Sequence, residues 1–282
     1  MPDASLATAL ILFSALLHAS WNAVLKSGKD RQAMIGVLNV SASIVSLPMI
    51  FLVPTPSGED WTWIGISVAV HLAYQLSLAR MMDSADYSLV YPISRGLGPL
   101  VVTAAALLLL GEPLGAGQIL AIFVIIAGAV LAGFASADRL RAPPLQAVFW
   151  ACLVGLLIGV YTSIDGSAVK RMSPLTFLFW SNLLIMPPMM AFLYRAEGTE
   201  FSKRMIVATP RALVMTFIAY CGYTLALFAF RFGNLAEIAA LRETSILFAA
   251  VIGGFWLKER ITVGRLIGIA IIAVGAIALK SI

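Results

Sequence analysis

Charged residues are scarce in this chain of 282 residues: they make up 12% of it, whereas hydrophobic residues make up 61%. A soluble domain is typically about a quarter charged and about half apolar, and the mean hydropathy of +0.96 is equally atypical of one. The net charge of +5 and the pI of about 9.4 are also seen in nucleic-acid-binding proteins. Here, however, the Lys and Arg residues are scattered through short connections between apolar runs. This pattern argues against a nucleic-acid partner and indicates an integral membrane protein in a lipid bilayer.

Cysteine and histidine are equally scarce, with two residues of each. Cys152 and Cys221 lie inside apolar runs, where a thiol is typically a small packing residue. His18 and His71 belong to no His-Glu-x-x-His motif, and the chain has no Gly-x-Ser-x-Gly motif and no Gly-x-x-x-x-Gly-Lys-Ser/Thr phosphate loop. The sequence therefore predicts no enzyme, no catalytic residue, no cofactor and no metal site.

Long polar segments are absent as well, so no soluble domain interrupts the apolar runs. A helix needs about 20 apolar residues to cross the hydrocarbon core, and turn-forming or charged residues separate ten stretches of about that length. The longest connection runs from Arg195 to Pro210, and the weakest break is Phe232-Gly233-Asn234. The predicted membrane helices cover approximately residues 5–25, 33–53, 61–81, 87–110, 117–136, 145–167, 174–194, 211–231, 235–257 and 262–281.

Two arginines in apolar surroundings reveal a duplication. An offset of 147 positions (242 − 95) brings Arg95 onto Arg242, and it also aligns several Glu and Gly residues. The further matches are Glu112 with Glu259, Gly117 with Gly264, and Gly128 with Gly275. Each half, 1–137 and 145–282, holds five predicted helices, and an odd number gives the second half the opposite orientation in the membrane. The predicted fold is all-α, with ten transmembrane helices as two inverted five-helix repeats and a substrate site between them.

The distribution of positive charge predicts the orientation. Connections on the side of the chain termini carry four Lys and Arg residues, and those on the other side carry thirteen. The positive-inside rule places both termini outside the cytoplasm. We expect a multi-pass protein of the plasma (inner) membrane.

Arg95 lies in the stretch Tyr91-Pro92-Ile93-Ser94-Arg95-Gly96-Leu97-Gly98-Pro99. Because the prolines lack a backbone donor and the glycines loosen the turn, the helix is predicted to bend or open here. A guanidinium at this point suits a carboxylate or phosphate. The alternative is a structural Arg95 that pairs with a nearby acid.

The ninth segment carries Arg242-Glu243-Thr244-Ser245, with Glu237 five positions earlier. Adjacent residues on a helix point about 100° apart, so Arg242 and Glu243 require partners on other helices. Asp165 in the sixth segment is a candidate partner for Arg242. The pair is either part of the site or a structural neutralisation of two buried charges.

Aromatic and polar residues share single faces of several predicted helices, as the walls of a pocket for a small polar solute would. On the third segment these are His71, Tyr74 and Gln75. Interhelical hydrogen bonding is the alternative role for each of them. The candidate substrate-binding residues are His18, Trp21, Asn22, His71, Tyr74, Gln75, Tyr91, Arg95, Tyr161, Arg242 and Thr244. The candidates for coupling or charge pairing are Asp165, Glu237 and Glu243.

The fifth and tenth segments carry small residues four positions apart, Ala129 with Gly133 and Gly264 with Gly268, which favours close packing at the periphery.

The chain resembles the EamA-type ten-helix branch of the drug/metabolite transporter superfamily. The features that carry the resemblance are the paired repeats and four short motifs: Leu110-Gly111-Glu112, Leu257-Lys258-Glu259, His18-Ala19-Ser20-Trp21-Asn22 and Ser88-Leu89-Val90-Tyr91-Pro92. The resemblance implies alternating access and a pocket between the first, third, fourth, sixth, eighth and ninth helices. It also implies that any homodimer forms through the fifth and tenth. It implies termini in the cytoplasm, which disagrees with the charge distribution.

The two central arginines favour a secondary active transporter for a small anionic or zwitterionic metabolite. A flippase for a lipid-linked head group is the alternative. The residues do not choose between proton coupling and solute exchange.

Overall fold

The computed structural model of the protein describes residues 3–28, 30–84, 87–135, 144–255 and 262–281. Within these ranges every regular element is helical, which confirms the all-α prediction. A 3-10 turn, Arg242–Thr244, separates α9 from α10. The helices are α1 (Asp3–Ser27), α2 (Arg31–Met49), α3 (Gly58–Ser84), α4 (Tyr87–Leu108), α5 (Ala116–Phe134), α6 (Leu145–Arg171), α7 (Pro174–Glu197), α8 (Thr199–Phe232), α9 (Leu235–Leu241), α10 (Ser245–Phe255) and α11 (Val263–Ser281).

These helices account for the ten predicted membrane crossings. In the described part of the chain, seven are long and apolar enough to span a membrane by themselves: α1, α2, α5, α6, α7, α8 and α11. The third and fourth crossings are α3 and α4. The ninth crossing is formed by α9 and α10 together. The weakest predicted break is present, because α8 ends at Phe232 and Asn234 caps α9 by accepting from the backbone N–H groups of Ala236 and Glu237.

The two halves, α1–α5 and α6–α11, pack as inverted repeats. α1 corresponds to α6, α3 to α8, and α4 to the α9–α10 pair. The contact of α1 with α8 therefore has its counterpart in the contact of α6 with α3. In the same way, the contact of α4 with α6 has its counterpart in the contact of α9 and α10 with α1. Exchanging the halves converts each contact into its counterpart, which a two-fold axis in the membrane plane requires. The offset of 147 positions also carries α5, residue for residue, onto α11.

α5 and α11 approach closely because glycines face the opposing backbone. A Cβ on Gly128 would lie 2.8 Å from the carbonyl oxygen of Gly268, and a Cβ on Gly268 would lie 2.4 Å from the backbone nitrogen of Ala132. The small residues of these helices therefore serve packing within the chain. The homodimer through the same two helices stays a prediction.

Glycines that face an opposing backbone also allow α6 to pack closely on α4. A Cβ on Gly155 would lie 2.9 Å from the carbonyl oxygen of Ser94, and one on Gly159 would lie 2.9 Å from that of Gly98. This contact holds Arg95 beside the second half.

The prediction that the helix opens around Arg95 is wrong. α4 is helical throughout, and Gly96 and Gly98 allow Val130 and Ile158 of neighbouring helices to approach rather than loosening the backbone. The interruption lies at the equivalent place in the other half, the 3-10 turn Arg242–Thr244.

The predicted connection from Arg195 to Pro210 is also wrong. α7 continues to Glu197, Gly198 alone separates it from α8 with φ +61°, and Pro210 lies inside α8. Tertiary contacts stabilise the early part of α8, since Phe201 is fully buried and Arg204 binds Asp30 with two hydrogen bonds.

Candidate functional site

A cavity of about 200 Å³ lies between the halves. Its walls come from α1, α2 and α3 of the first half, and from α6, α7, α8 and the 3-10 turn of the second half. Of the predicted binding residues, the cavity brings together His18, Trp21, His71, Tyr74, Gln75, Tyr161 and Arg242.

Three other predicted residues are described but do not line the cavity. Asn22 donates from its amide to the carbonyl of His18 (2.7 Å), and Thr244 donates from its hydroxyl to the carbonyl of Leu241 (2.7 Å). Arg95 faces the second half. The side chain of Tyr91 lies outside the described residues.

Arg95 forms an ion pair with Glu243 across the two halves. Its Nη2 lies 3.0 Å from Oε2 of Glu243 and donates to Oγ of Ser245 at 3.0 Å. The two charged side chains are only 7% and 5% exposed. Arg95 is thus neutralised where it stands, which fits the structural alternative.

Arg242 is placed differently, although it occupies the equivalent position. It lines the cavity, and none of the ion pairs among the described residues includes it. In the described part of the chain, its buried Nε has no hydrogen-bond partner. Arg242 therefore brings a positive charge without an ion-pair partner to the cavity wall.

The candidate ion pair between Asp165 and Arg242 is not formed. Asp165, which is 1% exposed, instead accepts hydrogen bonds from three side chains of α3 and α8. Ser67 Oγ donates to Oδ1 at 2.6 Å, Tyr223 Oη donates to Oδ2 at 2.5 Å, and His71 Nε2 lies 2.9 Å from Oδ2. Both carboxylate oxygens of Asp165 thus have hydrogen-bond partners other than Arg242.

An aromatic cluster surrounds this network. The ring of His71 stacks on that of Tyr161 with centroids 4.1 Å apart, and Tyr74 lies 5.2 Å from Tyr161. Across the cavity, Trp21 donates from Nε1 to Nδ1 of His18 at 3.3 Å. The cavity wall thus combines flat apolar surfaces with hydrogen-bonding edges.

Sequence reasoning missed the contributions of α2 and α7. Asn39 of α2 donates to Gln75 at 2.9 Å, and Asn182 of α7 lines the cavity beside Tyr220. For both helices, the sequence signal that could have indicated this contribution was a single Asn side chain within an apolar run. α4, which the resemblance places around the pocket, contributes no lining residue among those described.

Glu237, a coupling candidate, lies away from the cavity and pairs with Lys280 of α11. Within the described ranges no group of three His, Cys, Asp or Glu side chains is arranged to hold a metal ion.

Comparison with known proteins identifies the family to which the chain belongs. The sequence pattern of the EamA-like transporter family matches residues 5–134 and 145–280, one copy in each half. The chain belongs to the EamA-like transporter family. It is therefore a multi-pass membrane protein of a family of small-molecule transporters.

A solved structure, described as "Crystal structure of protein", shares the fold of this EamA-like transporter. It covers 99% of both chains with a TM-score of 0.75 at 15% sequence identity. Such a likeness concerns the fold alone. No curated protein matches the sequence.

Proposed function

We propose that this EamA-like transporter is a secondary active, alternating-access carrier of a small anionic or zwitterionic metabolite. Arg242 is the observation that carries the proposal. A charge at bilayer depth costs roughly 2.5–3.5 kcal/mol on insertion scales, and among the described residues Arg242 forms no ion pair with a carboxylate. A carboxylate, phosphate or phosphonate in the cavity would supply the missing partner.

The remaining charges of the site favour an anion as well. Glu243 neutralises Arg95, and the three donors around Asp165 occupy its oxygens. Arg242 is thus the charge that remains open to a solute. The aromatic rings and amides around it suit a solute with an apolar or hydroxylated body.

The shape of the cavity supports alternating access. We call the side of the membrane where α1 begins and α11 ends the terminal face. Near this face, Lys170 pairs with Glu112 at 2.5 Å and Arg171 pairs with Glu59, so that both pairs join the halves. Towards the other face, the lining continues to Leu25, two residues before α1 ends.

Thermal-shift measurements on purified protein test the proposal. The panel comprises phosphate, methylphosphonate, L-lactate, L-glutamate and glycine, with glycerol as a neutral comparator. Saturation at about 100 times Kd stabilises a protein by about 2.7 kcal/mol, a shift of several degrees. At least one charged solute should stabilise the wild type and Arg195→Gln, which removes an exposed arginine, but not Arg242→Gln.

Equal stabilisation of Arg242→Gln and wild type by every active solute would contradict the proposal. Stabilisation only by lipid-linked head groups in mixed micelles would favour the flippase.

A further inference from the structure

We infer that His71 and Asp165 form a proton-binding site, and that a proton is taken up there when an anion neutralises Arg242. The inference rests on the proposed function and deepens it. It assigns the energy source, which makes the protein a carrier of an anion together with a proton.

The site is a histidine held by a buried carboxylate at the cavity wall. Nε2 of His71 faces Oδ2 of Asp165 at 2.9 Å, and Oη of Tyr223 lies 3.4 Å from the same nitrogen. A neutral His71 therefore carries its hydrogen on Nε2 and directs it to Asp165. No hydrogen bond to Nδ1 of His71 is present among the described residues, and the side chain is 19% exposed. Nδ1 is thus the atom at which a proton from the cavity binds.

The charge balance around the pair includes the ionisable groups of the cavity wall. These groups are neutral in their ordinary protonation states: His18 of α1, Tyr74 of α3, Tyr161 of α6, and Tyr220 and Tyr223 of α8. The polar residues that α2 and α7 place in the wall do not ionise: Asn39, Ser181 and Asn182. The neighbouring charges are Arg242 and the Arg95–Glu243 pair.

These charges sum to zero in the empty cavity. Arg95 and Glu243 cancel in direct contact, and Arg242 and Asp165 cancel across the cavity while His71 is neutral. A bound monoanion would leave one net negative charge in a medium of low dielectric, where uncompensated charge is costly. A proton on Nδ1 of His71 restores neutrality, and Asp165 stabilises the imidazolium that results.

Arg242 and His71 line the same cavity of about 200 Å³. His71 stacks directly on Tyr161, and both Tyr161 and Tyr223 line that cavity as well. Removal of the Arg242 charge should therefore act on His71 as a bound anion does. This equivalence allows a test that needs no identified solute.

The test is ¹⁵N NMR of histidine-labelled protein in nanodiscs, purified without a histidine tag. The chain has two histidines, so the spectrum contains two imidazoles, and His18→Gln identifies the signals of His71. The ratio of protonated to neutral His71 is read at one fixed pH in the wild type, Arg242→Gln, Asp165→Asn and Arg195→Gln. Thermal unfolding of each variant verifies that it is folded.

We expect the ratio to rise about tenfold in Arg242→Gln, equivalent to about 1.4 kcal/mol. We expect it to fall at least about tenfold in Asp165→Asn, which keeps the size of the side chain and one acceptor oxygen but removes the charge, and to stay unchanged in Arg195→Gln. An unchanged ratio in Arg242→Gln overturns the inference, as does a response of His18 in place of His71.

The measurement contains no transported solute. Its failure would therefore remove the proton site and leave the proposed function intact. Normal solute binding by Arg242→Gln would remove the proposed function itself.

Discussion

Two arginines at equivalent sequence positions have different surroundings, and one neighbouring residue explains the difference. Glu243 follows Arg242 in the second half, whereas Gly96 follows Arg95 in the first. Glu243 reaches across to Arg95, and no acid at the equivalent position reaches back to Arg242. The duplicated unit thus produces one neutralised arginine and one that faces the cavity.

The Arg95–Glu243 pair is predicted to behave as a unit in stability measurements. Arg95→Gln should destabilise the protein by about 3–5 kcal/mol because it leaves a buried, unpaired carboxylate. The double variant Arg95→Gln/Glu243→Gln should recover most of that loss. The thermal unfolding midpoints of the wild type, both single variants and the double variant form the cycle that checks this. Additive losses would show that the two side chains act independently.

The Asp30–Arg204 pair predicts a pH dependence at the membrane surface. The hydrogen bonds from Arg204 are the main cause that lowers the pKa of Asp30 below its ordinary value of 3.8. A lowered pKa means stabilisation that is fully present above pH 3.8 and is lost as the pH falls below it. Because both side chains are about one third exposed, we expect no more than about 1 kcal/mol.

Thermal unfolding at about pH 6 and about pH 3 checks this dependence. Asp30→Asn should lose less stability than the wild type over that interval. An equal loss in the two proteins would assign the acid sensitivity to other carboxylates.

At the residue scale, the sequence indicated which side chains lie at cavity depth but not which of them meet. The spacing of His71, Tyr74 and Gln75 places them on one face of α3, and that face lines the cavity. The partner of Asp165 depends on the rotation of α3 and α8 about their axes, which hydropathy does not determine. The assignment of Arg242 to Asp165 failed for this reason.

At the scale of elements, periodicity and charge located the helices well but did not locate the interruption. Pro92, Pro99 and two glycines made α4 the expected place for a break, yet Gly96 and Gly98 meet close neighbours and serve packing instead. The break occurs at Arg242–Thr244, which contains neither residue type. The early extension of α8 was missed because it depends on contacts with α2 and Asp30.

The glycine contact between α5 and α11 gives a prediction at this scale. Gly268→Ala would place a Cβ 2.4 Å from the backbone nitrogen of Ala132, so the helices must separate. We expect a loss of about 1–3 kcal/mol and a lower unfolding temperature. Gly65→Ala in α3 is the matched control, since no atom lies within 4 Å of the added Cβ. A Gly268→Ala protein as stable as the control would show that α5 and α11 are not closely packed.

At the scale of the whole molecule, the ion pairs of the terminal face hold the halves together there. Glu112 is central, because it binds Lys170 and also accepts from the backbone N–H of Leu235 at 2.9 Å, at the start of α9. On the other face, Asp30 and Arg204 join the start of α2 to α8. Rocking of one half against the other would have to break the first set of contacts to admit solute from the terminal face.

Cysteine labelling tests this arrangement. In a Cys152→Ser/Cys221→Ser background, Asn182→Cys should react with a membrane-impermeant maleimide from the face opposite the termini. Adding Glu112→Gln and Arg171→Gln should increase labelling from the terminal face by about threefold or more, since two salt bridges worth up to about 1 kcal/mol each would be lost. Ser57→Cys on the terminal face controls for reagent access and reports which way the protein faces. Labelling that the added variants leave unchanged would exclude these pairs as the closing contacts.

The most direct test of the cationic cavity is a binding cycle with one solute in two charge states. The affinities of the wild type and Arg242→Gln are measured by calorimetry for the carboxylate or phosphonate that stabilises the wild type most, and for its neutral methyl ester. A charged hydrogen bond contributes about 1.5–3 kcal/mol, so Arg242→Gln should weaken binding of the anion by about 10–100-fold and leave binding of the ester nearly unchanged. Equal losses for both solutes, or none for the anion, would contradict the assignment of Arg242 as the anion-binding residue.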